Sequence, residues 1–158
     1  MGRQRPPIEC ELPFTYWVFG RPVSTRNDDG SKPSRLTAWR ATVSSALDAA
    51  VSIASKDRGF VPIDKHVERR IIWLSPNPTD QTQPDVDNIL KPLIDALNGR
   101  IITDDRQVHR ILAEKAYIGS PPATLREIYP EILDDQEYSE SGEVIVVRVS
   151  LFALEYQP

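Results

Sequence analysis

Along this chain the apolar residues alternate between the two-residue repeat of a strand and the three-to-four-residue repeat of a helix. Phe14-Thr15-Tyr16-Trp17-Val18-Phe19 is aromatic and β-branched and stops at Gly20-Arg21-Pro22, which predicts a first strand closed by a turn. From Arg35 to Ser55, Leu36, Trp39, Val43, Ala46, Leu47, Ala50 and Ile53 recur at helical steps and predict an amphipathic helix. Val67 to Leu74 predicts a second strand, halted at Ser75-Pro76-Asn77-Pro78. Ile89, Leu90, Leu93, Ile94 and Leu97 then give the buried face of a second helix, with Gly99 near its C-terminal end. Pro92 falls inside that pattern, so the helix either begins late, with Asn88 as N-cap and Pro92 in the first turn, or kinks there. Val108 to Ile118 and Glu143 to Leu154 supply the last two strands, and Val144 to Phe152 is the strongest strand signal in the chain. The order β-α-β-α-β-β predicts an α+β fold, a mixed β-sheet packed with helices on one or both faces, in a single domain over residues 1–158. Two segments break the pattern. Ser24 to Ser34 reads as a polar loop, and Ser120 to Gly142 as a proline-bearing acidic excursion with one short helix around Leu125 to Tyr129.

Composition narrows the function classes. A chain of 158 residues with 40% hydrophobic content has enough apolar material for one real core and too little for two large ones. Cys10 stands alone and is expected to be inert, and His66 and His109 have no neighbours at zinc-ligand spacing. Met1 to Cys10 lacks an apolar leader core, and no apolar run has the length of a membrane span, so a cytoplasmic location without membrane contact is expected. A net charge of −4 argues at first against a nucleic-acid partner. Residues 120–158, however, hold two basic and eight acidic residues, a net of −6, which leaves +2 for the remainder.

That remainder contains an unusual concentration of acids around the second helix. Asp85 and Asp87 lie at its start, Asp95 near its end, and Asp104-Asp105 follow after Ile101-Ile102. Asp87, Lys91 and Asp95 stand four residues apart on one face, which for Asp95 reads best as an ordinary ion pair with Lys91. Asp85 and Asp87 differ, because capping employs one acid at a helix start and two repel each other. Hard divalent cations take such oxygen ligands, and Mg²⁺ takes only a few of them, keeping its other positions for water and phosphate.

The run Asp85-Val86-Asp87-Asn88-Ile89-Leu90-Lys91, then Asp95-Ala96-Leu97-Asn98-Gly99, then Asp104-Asp105-Arg106-Gln107-Val108 closely resembles the signature of RusA-type Holliday junction resolvases, which are endodeoxyribonucleases. Gly20-Arg21-Pro22-Val23 and Lys115-Ala116-Tyr117 resemble that family more loosely. The resemblance implies a RusA-like, homodimeric enzyme that resolves four-way junctions or other branched DNA by paired symmetric nicks, leaving 5′-phosphates, in DNA recombination and repair. It implies Mg²⁺ or Mn²⁺ as cofactor, with Asp85, Asp87 and Asp105 as metal ligands, Asp104 in a supporting role, and Lys91 at the scissile phosphate. Such genes are common in phages and prophages. Three readings remain beside it: a branched-DNA-binding protein without catalysis, a flap or branch nuclease of phage DNA processing, and a purely structural or interaction module in which the acids cap and pair on the surface. Arg21, Arg26, Lys32, Arg35, Arg40, Arg69 and Arg70 are either the DNA footprint or plain solvated surface. The acidic segment is longer than the resemblance implies. Trp17, Trp39 and Trp73 sit in apolar patterns and are expected in the core rather than as base-stacking platforms.

Overall fold

The computed structural model describes residues 4–25, 33–128 and 142–153. Two short strands, β1 (Ile8–Glu9) and β3 (Phe60–Val61), pair in parallel, a contact too brief to leave a sequence signal. The main sheet is built from β2 (Phe14–Phe19), β4 (Val67–Ser75), β5 (Val108–Tyr117) and β6 (Val144–Leu151) in the order β2-β6-β4-β5. β6 runs antiparallel to both β2 and β4, whereas β4 and β5 are parallel, so the sheet is mixed and the fold is α+β as expected. Parallel neighbours need a crossover, and α2 (Val86–Asp95) supplies it.

Strand alternation decides which residues meet the helices. Phe14, Tyr16 and Val18 of β2, Val67, Ile71 and Trp73 of β4, and Ile145, Val147 and Val149 of β6 share one core with α1 (Pro33–Ser55) and α2. The helices contribute Trp39, Val43 and Leu47 at four-residue steps, and Ile89, Leu93 and Leu97. Each such side chain, once fully buried, is worth about 1.5–3 kcal/mol of transfer free energy. The opposite face buries Ile72, Leu74, Val144 and Val146 against Leu125 of α3 (Ala123–Ile128), so helices lie on both faces. Trp39 and Trp73 are core residues, and Trp17 packs on the α3 side. Cys10 is buried, and burial pushes its thiol up to about 11, which keeps it protonated and unreactive near neutrality.

α1 ends where Lys56 and Asp57 turn to positive φ and the Asp57 amide donates back to the Ser52 carbonyl at 2.8 Å. The expected acidic excursion lies largely outside the described residues, and its short helix is α3. Of the two options for Pro92, the late start is not the one found. α2 has Asp85, not Asn88, as N-cap, and Pro92 is its seventh residue rather than part of its first turn. Asn88 is buried inside the helix, and the proline is accommodated by a contact from elsewhere in the chain.

Candidate active site

The segments that lead into and out of α2 are tied to opposite ends of β4. Asp85 follows Gln83, whose side-chain amide donates to Ser75 at the end of β4. Asp105 opens a 3₁₀ turn (Asp105–Gln107) that leads into Val108, which pairs with Val67 at the start of β4. At about 1.5 Å per residue, the ten residues of α2, Val86–Asp95, span about 15 Å.

At the head of α2, Asp85 has the extended backbone of an N-cap (φ −69°, ψ 153°) but makes no side-chain capping bond. Its carboxylate is exposed and not committed to the helix it precedes. Asp87 is exposed in the first turn, one turn before Lys91. The Lys91 ammonium lies 3.1 Å from Asp95, the i,i+4 pair expected from spacing, with both partners open to solvent and hence worth only about 0.3–0.5 kcal/mol.

A polar network that the sequence does not announce holds the approach to Asp85. Glu143, buried just before β6, accepts from Arg21 Nε at 2.8 Å, from Trp73 Nε1 at 3.0 Å and from Gln83 Nε2 at 3.5 Å. Gln83 donates to Ser75 Oγ at 2.6 Å and accepts from Lys115 Nζ at 3.3 Å. The Lys115 ammonium also sits 4.8 Å over the Trp73 ring. Hydrogen bonding to Glu143, its largest cause, raises the pKa of Arg21 above its ordinary value. Glu143→Ala would strand the Trp73 N–H and unfasten Arg21 and Gln83 together. We expect a loss of about 3 kcal/mol in denaturant unfolding, and a loss below about 0.5 kcal/mol would mean that the network does not hold this end of the fold.

At the other end of α2 the two aspartates of the Asp104-Asp105 pair separate in role. Asp104 accepts from Arg106 N at 2.8 Å and pairs with the Arg106 guanidinium at 2.9 Å. The side-chain bonds from Arg106, then its backbone N–H, hold the Asp104 carboxyl down at about 2. Gln107 completes a reciprocal cap by accepting from the Asp104 amide, and its amide group donates to the Ile63 and Lys65 carbonyls at 2.8 and 2.9 Å. Asp104 is thus occupied in local structure, while Asp105 is exposed. Among the described residues, no group of three or more His, Cys, Asp or Glu side chains stands together as a cation site. Asp85 and Asp87 lie two residues apart, and Asp105 is not brought into a three-acid group with them.

The basic residues divide as well. Arg21 and Arg35 line a cleft of about 670 Å³ that Gln83, Asp85 and Asn88 also line. Arg40 is exposed on α1, Arg70 lies on the α3 side of the sheet beside Leu112 and Glu114, and Arg26 and Lys32 fall outside the described residues. Arg69 is a correction. It lies in strand phase with Val67, Ile71 and Trp73, is 1% exposed, and touches no solvent from which DNA would approach. None of its three guanidinium nitrogens has a hydrogen-bond partner among the described residues. Burial lowers its pKa, opposed by the charges of Asp105, Tyr16 and Asp95, in that order.

The site is thus an acid-headed crossover helix beside a cleft that Arg21 and Arg35 line. The family model described as Endodeoxyribonuclease RusA matches residues 20–128, which include every element from the Gly20 turn to α3. The chain belongs to this family of endodeoxyribonucleases. No curated protein matches the chain. No helix among the described residues is long and apolar enough to cross a membrane.

Proposed function

We propose that this protein is a divalent-metal-dependent, structure-specific endodeoxyribonuclease that resolves four-way DNA junctions, its whole length forming one RusA-like domain. The observation that carries the reading is the uncommitted Asp85 carboxylate in the same cleft as Arg21 and Arg35, inside the segment matched to the endodeoxyribonuclease family. Asp85 and Asp87 are oxygen donors of the kind Mg²⁺ or Mn²⁺ takes, and two carboxylates suffice for a cation whose remaining positions go to phosphate and water. They fit the cation, while Asp105 enters the set on the family resemblance rather than on its place in the fold. When bound there, the cation supplies Lewis-acid stabilisation of the attacked phosphate and a lowered pKa for its water.

The chain's own residues have defined parts in this reading. Arg21, fixed by Glu143, and Arg35 neutralise the phosphate backbone along the cleft. Lys91 leaves Asp95 to meet the scissile phosphate, a small loss because that pair is solvent-exposed. Arg40 extends the basic track along α1. Two symmetric nicks require two sites related by a twofold axis. The open edge of β5, which leaves Ile111, Leu112 and Tyr117 exposed, supports a second copy as partner.

Cleavage of a labelled four-way junction, run with and without Mg²⁺ beside flap and linear duplex, tests the reading. Paired nicks dependent on Mg²⁺ and preferring the junction are expected, and equal rates on all three substrates would replace it with a general branch nuclease. A binding protein without catalysis is the second reading, favoured by the absence of a three-acid group among the described residues. Tight junction binding with no cleavage under Mg²⁺ or Mn²⁺ would select it.

A further inference from the structure

Pro92 occupies the seventh position of the ten-residue helix α2. A proline there has no N–H to give the carbonyl four residues back, and its ring crowds that carbonyl outward. The carbonyl in question belongs to Asn88. It accepts instead from the Thr25 amide at 3.1 Å and from Thr25 Oγ1 at 3.2 Å. Thr25 follows directly on Arg21 to Ser24, which form one wall of the cleft, while Asp85 and Asn88 belong to the other.

We propose that Pro92 and Thr25 are positioning residues: by withholding an amide from α2, the proline hands the Asn88 carbonyl to Thr25, which latches the Arg21-bearing wall to the helix that carries Asp85 and Asp87. The proposal rests on the reading of this cleft as the DNA-cleaving site. A helix that tolerated Pro92 for shape alone would leave the Asn88 carbonyl to solvent, whereas here the carbonyl is used twice by one residue from 63 positions away in sequence. The wall is held at both ends, since Arg21 is tied to Glu143 at 2.8 Å. Between these two fastenings the guanidinium keeps a fixed separation from the acids, which is what a cleft reading backbone phosphates requires.

Pro92→Ala supplies the test, because it restores the helix's own donor. An amide already in the helix reaches the Asn88 carbonyl without any loop to order, so it competes with the Thr25 amide. The Thr25 amide should then exchange with solvent faster by roughly three- to tenfold, the equivalent of one net hydrogen bond. KM for a four-way junction should rise by roughly the same factor with kcat nearly unchanged, while the melting temperature stays level or increases. Thr25→Val, which removes only the hydroxyl bond, should move KM in the same direction by less, and Thr25→Ser should restore it. Equal protection of the Thr25 amide in wild type and Pro92→Ala overturns the latch, as does faster exchange with an unmoved KM. Should the wild-type protein cut no DNA, the nuclease reading fails by itself, and the exchange contrast still upholds or overturns the latch.

Discussion

Asp87→Asn is expected to lower the rate of junction cleavage at least about 100-fold while leaving the protein folded. Residues that merely support a metal ligand cost about 10–100-fold in affinity or activity when changed, and a ligand should cost no less. Asp87 is exposed, and its favourable position in the first turn of α2 is worth about 0.3–1 kcal/mol, a small part of the stability of a domain. The measurement is single-turnover cleavage of a labelled junction at saturating protein, beside a thermal melt. Asp95→Asn is the internal contrast, since Asp95 pairs with Lys91 and should cost the rate only a few-fold. Near-wild-type cleavage by Asp87→Asn would remove it from the metal set.

Arg69→Met should make the protein more stable. A guanidinium that is 1% exposed and has no hydrogen-bond partner among the described residues carries the desolvation penalty of a buried charge with little in return. Methionine fills much of the same space without that penalty, and replacing buried ionic groups by apolar ones yields about 1–4 kcal/mol in favourable cases. For a chain of this length each kcal/mol moves the melting temperature by about 2–4 °C. A fall in melting temperature would show instead that the charges of Asp105, Tyr16 and Asp95, which act on Arg69, repay its burial. Because the charge of Asp105 acts on Arg69, the proposed metal role of Asp105 carries the further expectation that the stabilised variant cleaves more slowly.

Most of the architecture was legible because it follows local rules. The four long strands and both long helices lie where apolar periodicity puts them, and the Lys91–Asp95 pair lies where helical spacing puts it. Arg69 was legible too, had strand phase been applied to it: Val67, Ile71 and Trp73 flank it at two-residue steps, but its neighbours Glu68 and Arg70 made it look like surface. The start of α2 was not legible. Keeping Pro92 out of a helix interior is sound for an isolated helix, and it fails here because Thr25 takes over the bereft carbonyl from a distant stretch of chain. Glu143, Gln83 and Lys115 were missed for a related reason, as their partners come from separate strands and no spacing reveals them. The acids stand out by motif, yet which of them come together depends on how the chain returns from α2 to β5, and that path has no local signature.

That return path also has a consequence for folding. Gln107 bonds the Ile63 carbonyl across 44 residues, so the turn carrying Asp105 is fixed only after a long loop has closed. α2 depends on a still longer loop, since its Asn88 carbonyl is taken by Thr25 from 63 positions away. Both acidic stretches, Asp85-Asp87 and Asp104-Asp105, are therefore set in place by closing long loops rather than by local structure, which is the kind of contact that slows folding.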